Sequence, residues 1–166
     1  MGREIRRVPG DWQHPKFTRE DAPHSGRIGD YRPLYNEEYH EACAKWYADA
    51  AAFKPDEFSR WHHEYAGPPP DEQSYRDRAW TPEEATHIAV YETVSEGTPV
   101  TPAFATPEEL IEYLVQHGDF WDQKRGDGGW KRENAESFVG RGWAPSLMVN
   151  RSETGTTIHS PRDGMP

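Results

Sequence analysis

The chain has 166 residues, 34% of them apolar, and a formal net charge of −10. That length admits one domain with a core, or one domain with an appended arm. The charge excludes a chain that grips DNA or RNA by neutralising phosphates, because that affinity needs a basic face. The apolar fraction is low for a globular chain, but seven Trp and eight Tyr offset it, since each buried aromatic removes roughly 150–250 Å² from water.

Residues 1–35 hold seven basic and five acidic groups with four prolines. Ile5 and Val8 suit a short strand, but the whole segment reads as an extended N-terminal arm. Residues 36–66 read as a helical segment. Asn36 is the expected N-cap, and Tyr39, Cys43, Trp46, Tyr47 and Ala50 recur at helical spacing. Lys54-Pro55 breaks the helix, and a second short helix is expected over 56–65. Residues 67–86 form a connector.

An α+β core is expected over 87–159, with the tail 160–166 disordered. Within it, 87–94 is rich in β-formers and reads as a strand. A turn follows at 95–98. Thr106 then caps a helix over 107–117, with Pro107 at its first position, Glu109 closing a capping box and Gly118 as the stop. The stretch 119–129 reads as a loop, 130–139 as a helix ended by Gly140, and 145–150 with 155–159 as paired strands. The fold class is therefore α+β. A small antiparallel sheet from 87–94, 145–150 and 155–159 packs against two helices, flanked by the arm and the helical segment.

One cysteine, Cys43, precludes an internal disulfide and suits a reducing compartment. There is no secretory signal pattern and no run of about 18 apolar residues. A cytoplasmic location, or carriage in a particle, is expected.

Candidate chemistry is weighed against plainer readings. His40 and Cys43 share a helix face and His62 and His63 follow, but one sulfur and no metal-ligand spacing argue for no metal. Cys43 amid apolar neighbours reads as an inert thiol. Glu92, Glu96, Asp119 and Asp122 are carboxylates for acid–base work, with Trp121 and Trp130 as stacking platforms. Nothing in their spacing sets two across a cleft. The glycine-rich 126–129 stretch is acidic and reads as a flexible turn, not a phosphate loop. No cofactor is expected.

The window 81–122 holds nine carboxylates and no Lys or Arg. Without local cations these groups are expected to face water or a basic partner. The expected contact set is Glu92, Glu96, Glu108, Glu109, Glu112 and Asp119 for charge, with Phe104 and Trp121 as apolar anchors. The alternative is a small-molecule or nucleotide site, or an enzyme, at the turn, using Thr93, Ser95, Gly97 and Thr98.

Four stretches bear a resemblance: Arg6-Arg7-Val8-Pro9-x-Asp11-Trp12-x-His14-Pro15, Tyr31-x-Pro33-Leu34-Tyr35, the run from Tyr91 to Pro102 (YETVSEGTPVTP), and Gly142-Trp143-Ala144-Pro145-Ser146. In this order they resemble a group of small accessory proteins of tailed phages and prophages. The resemblance implies phage origin and expression in the cytoplasm of an infected cell, and carries no active site. The expected function is non-enzymatic. The chain would bind a host or phage protein with a basic surface, and so inhibit a defence or nucleic-acid-handling complex, with no direct contact to nucleic acid or membrane. A further alternative is a minor virion or assembly component. The oligomeric state is open.

Overall fold

The computed structural model describes residues 2–18, 31–35, 37–53, 69–75, 80–94, 97–146, 148–152 and 155–164. The chain divides into two compact units, one of residues 1–16 with 80–166 and one of residues 17–79.

The first unit is α+β. Its sheet has four antiparallel strands in the order β3-β2-β1-β4. They are β1 (Gly2–Val8), β2 (His87–Glu92), β3 (Thr98–Pro99) and β4 (Trp143–Pro145). β1 lies between β2 and β4, with Ile5 opposite Val90 and Arg3 opposite both Glu92 and Ala144. This corrects the expectation of an arm over its first residues. Gly2–Val8 is a central strand because side chains on both its faces find partners. Ile5 packs with Val90, Ile88 and Ala144 on one face, and Val8 packs with Ala89 and Tyr91 on the other. The two edge strands are short, and each carries a proline, Pro99 and Pro145. Proline cannot donate to a ladder, so these edges resist further pairing.

Two helices cover the Val90 face as expected: α2 (Pro107–His117) and α4 (Arg132–Arg141). Leu110 and Leu114 of α2, Ala135 and Phe138 of α4, Trp130, Val100 and Ala144 form the core with Val90. Each fully buried leucine is worth about 1.5–3 kcal/mol of transfer free energy. α2 starts as its sequence predicts. The Thr106 side chain accepts from the Glu109 backbone N–H at 3.2 Å, and the Glu109 carboxylate accepts from the Thr106 N–H at 3.4 Å. Gly118 ends the helix at φ 71°, where a side chain would be strained. α4 runs past Gly140 to Arg141, and the left-handed stop is Gly142. The same four residues, Thr-Pro-Glu-Glu, occur at 81–84 as well as at 106–109, and the first copy caps a single turn, with Thr81 N–H donating to Glu84 Oε2 at 2.9 Å.

The expected loop over 119–129 contains the helix α3 (Phe120–Arg125), because Asp119 caps it and Asp122 closes a reciprocal capping box. Gly129 is no free hinge: a Cβ there would fall on the Val115 carbonyl. Among the described residues the strands β5 (Met148–Ser152) and β6 (Gly155–His159) pair with each other and not with the main sheet. Residues 160–164 are also ordered. Ser160 and Asp163 form a capping box around a short 3-10 turn, Pro161 is buried, and Arg162 donates to the Asp127 carbonyl.

The second unit contains α1 (Tyr39–Ala52) and a 3-10 turn, Glu72–Ser74. Stacked rings of Tyr35 and Tyr75, 4.8 Å apart, and the Arg32–Asp71 pair at 2.7 Å hold its described parts together. Glu38 is the N-cap of α1, and Ala42 is its buried residue. The expected N-cap Asn36, the second helix over 56–65, and His62 with His63 lie outside the described residues.

Candidate interaction surface

The nine carboxylates of 81–122 do not form one face. Asp119, Asp122 and Glu92 are 0%, 2% and 6% exposed, and a buried carboxylate persists only when paired and hydrogen-bonded. The cationic partners of Asp119 and Asp122 lie outside the window. Arg3, 116 positions away and 5% exposed, donates its Nε–H to Asp119 Oδ2. Asp119 Oδ1 accepts from the backbone N–H groups of Trp121 and Asp122 at 2.8 and 3.0 Å. Asp122 Oδ2 accepts from the Asp119 N–H at 3.0 Å and from Trp130 Nε1–H at 2.6 Å. Its Oδ1 takes Arg125 Nη2 at 2.7 Å. Glu92 Oε2 accepts from Trp121 Nε1–H at 2.7 Å.

Asp119 and Glu92 are therefore corrected as surface charge: they are internal ligands that tie β1, β2 and α3 together. Burial pushes the Asp119 carboxyl up from its ordinary range. Arg3 pulls it back down, and the Asp122 charge adds to the rise.

The two expected anchors are half-buried and engaged. Phe104 exchanges both backbone hydrogen bonds with Ile88 at 2.8 Å, and its ring lies 5.1 Å from Tyr113. Trp121 packs on the core, and the Lys124 ammonium sits 5.3 Å from its ring. The exposed large apolar side chain of α3 is its neighbour Phe120, at 50%.

On the outer side of α2, Glu108, Glu109 and Glu112 are exposed. Glu109 is engaged in the cap, and also accepts from the Ala105 N–H at 3.0 Å. Glu112 pairs at the surface with Arg132 of α4. Glu83, before β2, is exposed as well. Glu96 lies outside the described residues.

The turn between β2 and β3 uses its groups internally. The Gly2 N–H donates to Thr93 Oγ1 at 2.6 Å, and the Thr93 N–H donates to the Gly2 carbonyl at 2.8 Å. Gly97 is buried at φ 92°, with its N–H on the Glu92 carbonyl at 3.0 Å. Thr98 pairs with Glu92. Thr101 Oγ1 accepts the Val90 N–H at 3.0 Å and donates to the Pro102 carbonyl at 2.9 Å. Ser95 is outside the described residues. These contacts give the described part of the turn a structural use.

Sequence reasoning missed Arg3, Arg125 and Trp130 as partners of the acidic window. Arg125 and Trp130 lie just past its boundary. No local pattern marks Arg3, because strand pairing alone brings it to Asp119. Among the described residues no group of three or more His, Cys, Asp or Glu is arranged to hold a metal. No described helix is long and apolar enough to cross a membrane. No family model, curated protein or solved structure matches this chain.

Proposed function

We propose that this chain works by binding, and that it docks a basic protein surface through the outer side of α2. The observation that supports this reading is the exposure of Glu108, Glu109 and Glu112 on one short helix, anchored from beneath by Leu110 and Leu114. Glu108 and Glu112 stand one turn apart and so present their charges together. The surface pair of Glu112 with Arg132 is solvent-screened, and a partner's guanidinium can replace Arg132 at little cost. With a net charge of −10, approach to a basic partner is accelerated and approach to nucleic acid is opposed.

On this reading the chain is a phage accessory protein acting in the infected cell. Its partner is a host or phage protein, and docking inhibits a defence or nucleic-acid-handling complex by covering that complex's basic surface.

The test is capture of partners from host lysate by the tagged chain at low and high salt, beside a Glu108→Lys/Glu112→Lys variant. Glu109 is left in place because it caps the helix. Recovery is expected to fall with salt and to be lost in the variant, whose melting curve stays near that of the unsubstituted chain. A partner retained equally by both proteins removes α2 from the reading.

A further inference from the structure

The β5–β6 hairpin is the one paired element of the described residues whose edges carry none of the protection seen on the main sheet. β3 and β4 are two and three residues long and each holds a proline. β5 and β6 are five residues each, Met-Val-Asn-Arg-Ser and Gly-Thr-Thr-Ile-His, with no proline and no lysine. Their register is continuous from Met148↔His159 to Ser152↔Gly155, and neither pairs with another strand among the described residues. A two-stranded ribbon is marginal in water, and a third or fourth strand is what stabilises it.

The ribbon's backbone has a defined outward set. Ser152 and Gly155 flank a two-residue connection, and such a flanking pair exchanges both of its hydrogen bonds. Alternation then turns the N–H and C=O of Thr156 and Ile158 away from β5. Gly155, Thr156 and Thr157 are exposed, and Val149 is 50% exposed.

Charge selects the occupant. Residues 148–159 hold one Arg, Arg151, and one Glu, Glu153, so their formal charge is 1 − 1 = 0, and the remaining residues carry all of the −10. Two copies of an acidic chain repel over most of their surfaces, and this neutral ribbon is where they meet at least electrostatic cost.

We propose that two copies of this chain associate by antiparallel pairing of β6 with its counterpart about a two-fold axis, giving a four-stranded β5-β6-β6-β5 sheet. The contact is isologous, so it closes at a dimer rather than growing into a fibre. It is separate from the α2 face and stands or falls without it.

The test is sedimentation equilibrium of the full chain over about a hundredfold range of concentration. Thr156→Pro, which removes an outward N–H, and Thr156→Lys, which sets like charges near each other across the axis, are run beside it. A reversible dimer is expected, weakened at least about tenfold in both variants. Circular dichroism checks that each variant keeps the fold. If Thr156→Pro unfolds, Thr156→Lys carries the comparison. A chain that is monomeric throughout overturns the proposal. So does a dimer indifferent to the folded variants, and so does a monomer that takes up an extended peptide of a different protein along β6.

Discussion

Arg3 and Asp119 define the energetics at the scale of single residues. Arg3, 5% exposed, is hydrogen-bonded to Asp119, which is 0% exposed. Removing one partner of a buried ion pair leaves the other charge uncompensated. Arg3→Ala is therefore expected to cost about 3–5 kcal/mol in urea unfolding. The pH dependence has a definite sign. Burial raises the Asp119 carboxyl above its ordinary 3.8. A folded-state value above the unfolded one stabilises the protein fully below the unfolded value, and that contribution is lost as the pH climbs through the folded value. The stability of the unsubstituted chain minus that of Asp119→Asn should thus fall as the pH rises above 3.8. A difference that grows over that range would mean that Arg3 outweighs burial and holds the carboxylate ionised. None of this is legible in the sequence around Asp119, because its cation is 116 positions away. An absence of nearby Lys and Arg predicts solvation only when no distant strand delivers a guanidinium.

At the scale of elements, legibility tracks how local the determining contacts are. α2 is read correctly at both ends because its signals, Thr106, Pro107, Glu109 and Gly118, lie within one stretch of chain. Thr106→Ala removes the cap and is expected to cost about 1 kcal/mol. Leu114→Ala, in the fully buried stripe, should cost about 2–5 kcal/mol, with chemical denaturation measuring both. α3 carries an equally local signal, since Asp119 and Asp122 are spaced for reciprocal capping and Gly126 supplies the left-handed stop. It reads as a loop only because its apolar pattern is poor: its one buried residue is a carboxylate. β1 is the opposite case. Its alternation is visible at Ile5 and Val8, but three arginines and a glutamate among seven residues mask a central strand. Arg7 is exposed and Glu4 half-buried; the burial of Arg3 depends on Asp119, and that of Arg6 on Glu4, 2.6 Å from its Nε, and on the Tyr91 ring, 4.7 Å beneath its guanidinium.

At the scale of the whole molecule, the first unit is assembled from both ends of the chain, and residues 17–79 form the second. Within the first unit the rings of Trp12 and Trp80 lie 4.8 Å apart, bringing together the two places where the chain leaves and returns. Replacing 17–79 by a short glycine–serine linker is therefore expected to preserve cooperative unfolding and the near-ultraviolet aromatic signal of the remaining residues. A molten product would show that the first unit needs the second.

Six of the nine carboxylates of 81–122 divide into an internal set, Glu92, Asp119 and Asp122, and an outward set on α2, Glu108, Glu109 and Glu112, and the reading of function rests on the outward set. The most direct measurement is the affinity of a partner captured at low salt for the unsubstituted chain and for the Glu108→Lys/Glu112→Lys variant. Binding is expected to weaken by about tenfold or more in the variant, and with added salt in the unsubstituted chain. Equal affinities, insensitive to salt, would contradict it.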